Sequence, residues 1–425
     1  MSAPRLRPSR ILDPALEQQS PAAREAYLAE RLRATVAHAA AASPAFQRRL
    51  AAANLAAGDL RGPADLARLP PLRKDALPGL QAGDPPFGGL LAVAPGALAR
   101  VFMSPGPIYD PEGDGADFWR FRHALAAAGF RAGEIAHNAA SYHLTPLGFM
   151  LDAAARALGC AVIPAGVGQT ELQVKVAAHL GATAYLGTPS FLYALLGKAR
   201  ELGTPLRFET AFVLAEMLPE SLRAELEGEF GVRVLQGYGT ADLGCLAYEC
   251  PEKGGWHLHP ECLVEVLDLE TGQPAAPGQP GEVVATLFDP VYPLVRLGTG
   301  DLAALAPEAP CPCGRTAPKL AGLLGRLGDA VKVKGMFVRG GELAAALQKF
   351  PEVKRFQAVV TREQHQDHLA YDVELSAPAG DEPALAARIG EALREAVKVR
   401  GEVRFVPPGA IPEGAKRVDD RRVWK

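Results

Sequence analysis

At 425 residues the chain is longer than one compact domain usually runs, and 48% hydrophobic with 22% charged residues excludes a disordered or fibrous chain. A net charge of -3 with no long run of like charge argues against a nucleic-acid partner, which would leave a basic stripe. Six cysteines in this length do not make a disulfide scaffold, and the basic residues 1–10 lead into no apolar stretch of a secretory signal, so reduced thiols and a cytoplasmic location are expected.

The first sixty residues read as helices. Ser20-Pro21 and Ser43-Pro44 each place a capping hydroxyl before a proline at the first helical position, where the missing N–H is not needed. Between them Tyr27, Leu28, Leu32, Val36 and Ala39 recur at helical spacing, the mark of a packing helix without chemistry. From about residue 117 helices and strands alternate: helix 118–128, strand 134–138, helix 147–158, strand 161–164, helix 171–179, strand 184–186, helix 190–201, strand 210–214, helix 219–230, strand 232–235. That order predicts right-handed βαβ units and a mainly parallel sheet. The apolar stretch 147–165 contains Asp152 and Arg156 and is too polar to cross a membrane.

Residues 245–305 change character. Short runs at 263–267 and 283–287 between Gly/Pro turns predict a small β subdomain. Beyond Gly325 a fresh pattern begins: strands 330–334 and 336–338 (the latter equally a turn), helix 342–349, strands 356–361 and 370–376, helix 382–399 and strand 403–406. The fold class is therefore α/β, with a large N-terminal domain over 1–325 and a small α+β domain over 326–425.

Gly237-Tyr238-Gly239-Thr240-Ala241-Asp242 directly follows a predicted strand. A tyrosine between glycines at a strand's C-terminal end can stack on a flat ring while the backbone approaches a ligand closely. Thr240 offers a hydroxyl to a phosphate and Asp242 a carboxylate to Mg²⁺. Taken alone, the motif reads as a tight loop. Gly298-Thr299-Gly300-Asp301 puts an acidic acceptor for ribose hydroxyls beside glycines, and alone reads as an Asp turn. Gly325-Arg326-Leu327-Gly328-Asp329 suits a hinge at the domain junction, or a passive linker. Cys311 and Cys313 stand two apart, with Cys250 and His257 upstream as Cys-x6-His. Three thiolates and an imidazole suit a closed tetrahedral Zn²⁺ site. Cys245, His259 and Cys262 are competing ligands, and buried free thiols are the other reading.

The order of the three glycine motifs resembles the adenine-stacking, ribose-binding and hinge motifs of the adenylate-forming acyl-CoA synthetases. Further segments resemble the phenylacetate–CoA ligase branch: Gly168-Gln169-Thr170-Glu171 (GGQTE in the family), His137-Asn138-Ala139 (HNA), Gly187-Thr188-Pro189-Ser190 (GTPS), Ala215-Glu216 (the AE of GAE) and Cys311-Pro312-Cys313-Gly314-Arg315-Thr316 (CPCGRT). The similarity runs from about residue 60 to the C-terminus. It implies a carboxylate–CoA ligase that uses ATP, Mg²⁺ and CoA, makes an acyl-AMP and then a thioester, and forms a homodimer. Gly237, Tyr238, Gly239, Thr240, Glu216, Asp301 and Arg326 would then bind nucleotide, and Asp242 the Mg²⁺. Residues 413–422 resemble the family's EGKAKRVIDRR with one residue missing, which makes Lys416 the matching catalytic lysine.

Three departures qualify that implication. The family's SSGTTGxP phosphate loop corresponds here to Ser104-Pro105-Gly106-Pro107, without threonines, with two prolines that remove backbone donors, and followed by Asp110, Glu112, Asp114 and Asp117, which would repel phosphate. A non-adenylating relative that binds acyl-CoA, AMP or an acid is the reading this favours against the ligase; adenylation for a carrier protein or an amine is a third. The family's aryl-pocket Tyr and Phe are Ala140 and Thr145, which predicts a roomier, more polar pocket with Tyr142, His143 and Ala215 on its wall and an acid other than phenylacetate. The hinge pair is Gly328-Asp329 where the family carries Asp-Asp.

Overall fold

The computed structural model describes residues 9–104, 107–327, 330–333, 336–363, 366–378 and 380–422. They form two compact units, Met1–Thr299 with Ala304–Gly322, and Gly300–Ala303 with Leu323–Lys425.

In the first unit the N-terminal helices are Pro21–Ala42 and Pro44–Ala52. Ser20 Oγ accepts from the Ala23 amide, and Ser43 both ends the first helix and caps the second by accepting from the Phe46 amide. Leu32, Val36 and Ala39 make one buried face, packed with Phe46, Leu263 and Val295.

The parallel strands lie in the spatial order Ala161–Pro164, Ile135–Asn138, Ala184–Gly187, Thr210–Val213, Arg233–Thr240. Their helices follow the expected alternation within a few residues, with one difference: the helix expected over 118–128 is only Arg122–Ala127. Arg120 has φ 64, a conformation a helix cannot contain, and the Asp117 carboxylate takes up the Phe121 and Arg122 amides instead.

The last parallel strand does not stop at residue 235. It runs on through Thr240, pairs parallel with Thr210–Val213 in its first half, and pairs antiparallel with Gly244–Glu249 in its second. Through that strand the β-rich stretch joins the same sheet, in the order Gly244–Glu249, Trp256–Leu258, Lys319–Arg326, Leu297–Leu305, Gly281–Leu287, Cys262–Leu267. The expected small β subdomain is thus an extension of one twelve-stranded sheet, whose twelfth strand, Leu72–Arg73, pairs parallel with Leu297–Leu305. Short apolar runs and tight turns describe both arrangements equally, and only the double use of one strand distinguishes them.

The second unit pairs strands Ala330–Val333 and Met336–Arg339 as a hairpin and builds a four-stranded sheet in the order Glu402–Phe405, Gln366–Leu375, Val353–Glu363, Val418–Asp420. Helix Glu382–Val397 is capped by Asp381 and buries Leu385, Ile389, Leu393 and Val397, spaced by four, against Leu343, Phe350 and Tyr371. It ends two residues before the expected 399 because Lys398 adopts φ 57. Val418–Asp420 was not foreseen as a strand and pairs parallel with Val353–Glu363.

Candidate active site and metal centre

Gly237–Thr240 of the nucleotide motif lie inside a strand, and Ala241 and Asp242 in the turn that follows it. A Cβ on Gly237 would come within 2.4 Å of the Phe212 ring, and one on Gly239 within 2.3 Å of the Gly244 carbonyl, so packing explains both glycines. Tyr238 is 5% exposed, stacks on Trp256 at 6.3 Å between centroids, and its hydroxyl bonds Thr299 Oγ1 at 3.2 Å. Thr240 Oγ1 accepts from the Leu243 amide at 3.2 Å. The ribose motif also sits within a strand, Leu297–Leu305, where Gly300 alone separates Thr299 from Asp301. Asp301 is buried, and its Oδ1 accepts from Arg326 Nε at 3.1 Å in the second unit, so the two residues assigned to the ribose are brought together. Lys416 is exposed on the approach to strand Val418–Asp420, its carbonyl held by Gln357 Nε2 at 2.9 Å. The hinge pair Gly328-Asp329, and Pro105-Gly106 of the phosphate loop, lie outside the described residues.

At the C-terminal ends of the parallel strands, where open α/β sheets place ligands, Asn138 donates from Nδ2 to the Tyr142 hydroxyl and to the Gly148 carbonyl, both at 2.8 Å, and Tyr142 donates to Asp152 at 3.0 Å. The Tyr142 hydroxyl is therefore committed to the loop that carries it. Ala140 is buried in that loop, Thr145 is half-buried and His143 is exposed. Ala215 and Glu216 follow the strand Thr210–Val213, with Glu216 Oε2 accepting from the Ser190 amide at 3.4 Å. Ala215 has φ 69, which costs an L residue about 1 kcal/mol. Ala215→Gly relieves that strain and gains unfolded-state freedom, so a net stabilisation of about 0.5 kcal/mol is expected in urea denaturation. Loss of stability would show that the turn is unstrained.

Asp242 is buried, and its Oδ2 takes the Lys74 ammonium at 2.5 Å, a partner sequence reasoning missed. The acidic residues after the phosphate loop do not act as one repelling group. Glu112 is held by Arg100 at 2.8 and 2.9 Å, Asp117 caps backbone amides, and Asp114 is exposed. Asp110 alone of the four is fully buried with neither carboxylate oxygen hydrogen-bonded. Burial, and then the Asp242 carboxylate beside it, push its pKa well above the usual range.

The four expected zinc ligands converge, with all ligand atoms within 4.8 Å of one another. Cys250 Sγ lies 3.6 Å from Cys311 Sγ, and Cys313 Sγ 3.4 Å from His257 Nε2. A tetrahedron with Zn–S near 2.3 Å and Zn–N near 2.0 Å has edges of roughly 3.5–3.8 Å, so the cluster has the size of the ion. His257 Nδ1 donates to the Ala317 carbonyl at 3.2 Å, which leaves Nε2 free to face the thiols. The competing residues go elsewhere. Cys245 and Cys262 are buried thiols, and His259 uses both ring nitrogens, on the Arg120 carbonyl and the Glu261 amide.

A second buried network was not anticipated. Glu17 accepts from Arg315 Nε at 2.6 Å, from His123 Nδ1 at 3.2 Å, from the Tyr248 hydroxyl at 3.3 Å and from the Leu12 and Asp13 amides. His123 Nε2 lies 3.4 Å from Glu261. Three residues of this network are fully or nearly fully buried charges, and no local pattern marks them.

Residues 122–286 match the model of the AMP-binding enzyme family, and residues 340–422 that of the AMP-binding enzyme C-terminal domain. A phenylacetate–coenzyme A ligase of Thermus thermophilus is 34% identical over 92% of this chain and 95% of its own. One of Aromatoleum evansii is 29% identical over 92% and 93%. A 2-hydroxyisobutyryl-CoA ligase, solved in an open conformation with 2-HIB-AMP and CoA, superposes with a TM-score of 0.82 at 25% identity over 95% of this chain and 93% of that one. Among the described residues no helix is long and apolar enough to cross a membrane.

Proposed function

The chain belongs to the phenylacetate–coenzyme A ligase family of AMP-binding enzymes, and from that premise we infer that it is a carboxylate–CoA ligase, converting an acid, ATP and CoA into acyl-CoA, AMP and pyrophosphate. The likeness to an acyl-CoA ligase across both units carries this reading over the non-adenylating alternative. In the first half-reaction a substrate carboxylate oxygen attacks the α-phosphorus of ATP and the bond to pyrophosphate breaks. In the second the CoA sulfur attacks the acyl carbon, AMP leaves, and the thiol proton goes to solvent.

The residue roles in this reading follow from position and chemistry. Tyr238 offers a ring face to adenine, Thr240 a hydroxyl to the α-phosphate, and Asp301 with Arg326 an acceptor and a donor to the ribose. Gly237 and Gly239 make room for the Phe212 ring and the Gly244 carbonyl on either side of Tyr238, and Glu216 lies just beyond the neighbouring strand end. Asp242 would hold Mg²⁺, which neutralises phosphate charge when bound. Lys416, an ammonium on a flexible stem, suits the charge that develops between carboxylate and phosphate.

Ala140 and Thr145 replace larger side chains on the acyl side, and with the Tyr142 hydroxyl engaged by Asn138 and Asp152 the polar additions to the pocket come from Thr145 and His143. A bulkier or more polar aryl or related acid is the expected substrate. Pyrophosphate release measured over a panel of acids should give the highest kcat/KM with such an acid, by at least about tenfold over phenylacetate, since a few lost apolar contacts change selectivity by that much. Phenylacetate as the best substrate would overturn the pocket reading, and no release with any acid would overturn the ligase reading.

Cys250, His257, Cys311 and Cys313 are read as holding one structural zinc ion, on the ligand distances given above. The free thiols and the ATP and CoA requirement favour the cytoplasm, and a homodimer is expected in light scattering.

A further inference from the structure

Asp110 lies on strand Ile108–Glu112, which hairpins with Arg100–Ser104 across the altered phosphate loop. It faces Asp242 and Ser104. Around it, oxygen atoms without a hydrogen-bond partner collect: both carboxylate oxygens of Asp110, Oδ1 of Asp242, the Ser104 hydroxyl and the Tyr292 hydroxyl. Ser104 is 7% exposed and Tyr292 2%, so water does not readily satisfy them. The single Lys74 ammonium is spent on Asp242 Oδ2, so among the described residues Asp110 has no ion pair of its own in this buried chamber. Such a group is retained only when something neutralises it. Carboxylate and hydroxyl oxygens without sulfur or imidazole are the donors of a hard divalent cation.

We propose that Asp110 joins Asp242 as a second carboxylate ligand of one divalent cation of the Mg²⁺ or Mn²⁺ class, with the Ser104 hydroxyl beside it. The proposal rests on the ligase reading for its purpose. With a divalent ion held by both carboxylates beside Lys74 the chamber carries one net positive charge, which attracts the triphosphate that the Ser104–Pro107 segment, short of backbone and hydroxyl donors, holds poorly. Asp110 is then what offsets the loss of the threonines.

The test is electron paramagnetic resonance of Mn²⁺ titrated into the full chain without nucleotide, where binding removes the six-line signal of the free ion. One Mn²⁺ per chain, displaced by excess Mg²⁺, is expected at this site, in addition to any zinc. Asp110→Asn should weaken Mn²⁺ binding by at least about tenfold, the loss typical of removing a metal-site partner, whereas the exposed Asp114→Asn should leave it unchanged. If Asp110→Asn does not fold, Asp110→Glu is read the same way: an altered affinity supports the proposal and an unaltered one overturns it. Absence of Mn²⁺ binding in the wild-type chain overturns it too, and points to a proton shared between the two carboxylates. Pyrophosphate release by the wild-type chain separates the two levels. Turnover without a metal site in the free protein sinks only the Asp110 proposal, whereas a metal site without turnover sinks the ligase reading.

Discussion

Elemental analysis of the purified protein should find one zinc per chain, and Cys313→Ser or exhaustive chelation should lower stability by about 3 kcal/mol or more. The site sits where that loss is structural. Cys250 follows strand Gly244–Glu249, His257 is inside Trp256–Leu258, and Cys311 and Cys313 lie on the connection between strands Leu297–Leu305 and Lys319–Arg326. An ion there staples a connection of more than ten residues to the sheet it crosses, and that connection also carries Arg315 to its buried partner Glu17. In the absence of zinc the chain must bury an imidazole among thiols, and the Cys311–Cys313 part of the connection loses its tie to the sheet, while Arg315 and Thr316 keep theirs to the N-terminal segment. For a unit of some three hundred residues 3 kcal/mol corresponds to roughly 5 °C in melting temperature, readable by calorimetry. Cys160→Ser, at a buried thiol outside the cluster that donates to the Arg131 carbonyl, is the control for thiol loss without a metal. A chain free of zinc that melts at the same temperature with and without chelator would sink the site.

The Cys250, His257, Cys311 and Cys313 cluster was legible because Cys and His are scarce and their chemistry is narrow. Spacing alone left Cys245, His259 and Cys262 in competition, and only the fold separates them, by putting Cys245 and Cys262 in the core and spending both nitrogens of His259. The helix starts at Pro21 and Pro44 were legible for a local reason: a serine hydroxyl, a proline and an apolar stripe act within four residues of one another. The parallel run was legible from alternation alone. What sequence reasoning misplaced depends on distance. Gly237 and Gly239 read as ligand-approach glycines, yet their neighbours are Phe212 and Gly244, across a strand and across a turn. The strand Val418–Asp420 is three residues long and has no pattern until Ala358 stands opposite Val418. Asp110, Glu112, Asp114 and Asp117 look alike in a row, and four different surroundings give them four different fates. Lys74 gives no sign that it will meet Asp242, which is 168 positions away.

Glu17 is the extreme of that rule and yields the prediction with the widest reach. Its partners His123, Tyr248 and Arg315 come from three distant parts of the chain and meet in a site from which water is excluded. Burial, the largest influence, would raise the Glu17 carboxyl, but the hydrogen bond from His123 and the charge of Arg315 overcome it and hold the pKa down at about 2. Burial would likewise depress His123, and the bonds to Glu17 and Glu261 outweigh it and raise the imidazole to about 9. The signs then fix a window. Glu17, lowered in the fold, contributes fully above its unfolded value of 4.5 and loses that contribution as pH falls toward 2. His123, raised in the fold, contributes fully below its unfolded value of 6.5 and loses that contribution as pH rises through 9. The network is strongest between those two unfolded values. Glu17→Gln leaves Arg315 and His123 as buried charges without their counter-ion, a change that costs about 3 kcal/mol when one partner of a buried pair is removed. Guanidinium denaturation of both chains at pH 3, 6 and 9.5 should give the largest difference at pH 6, less than half of it at pH 3, and an intermediate value at pH 9.5, where Arg315 still carries its charge. An equal difference at pH 3 and pH 6 would mean that Glu17 acts by shape and not by charge, because protonating it would then change nothing that the amide does not already change.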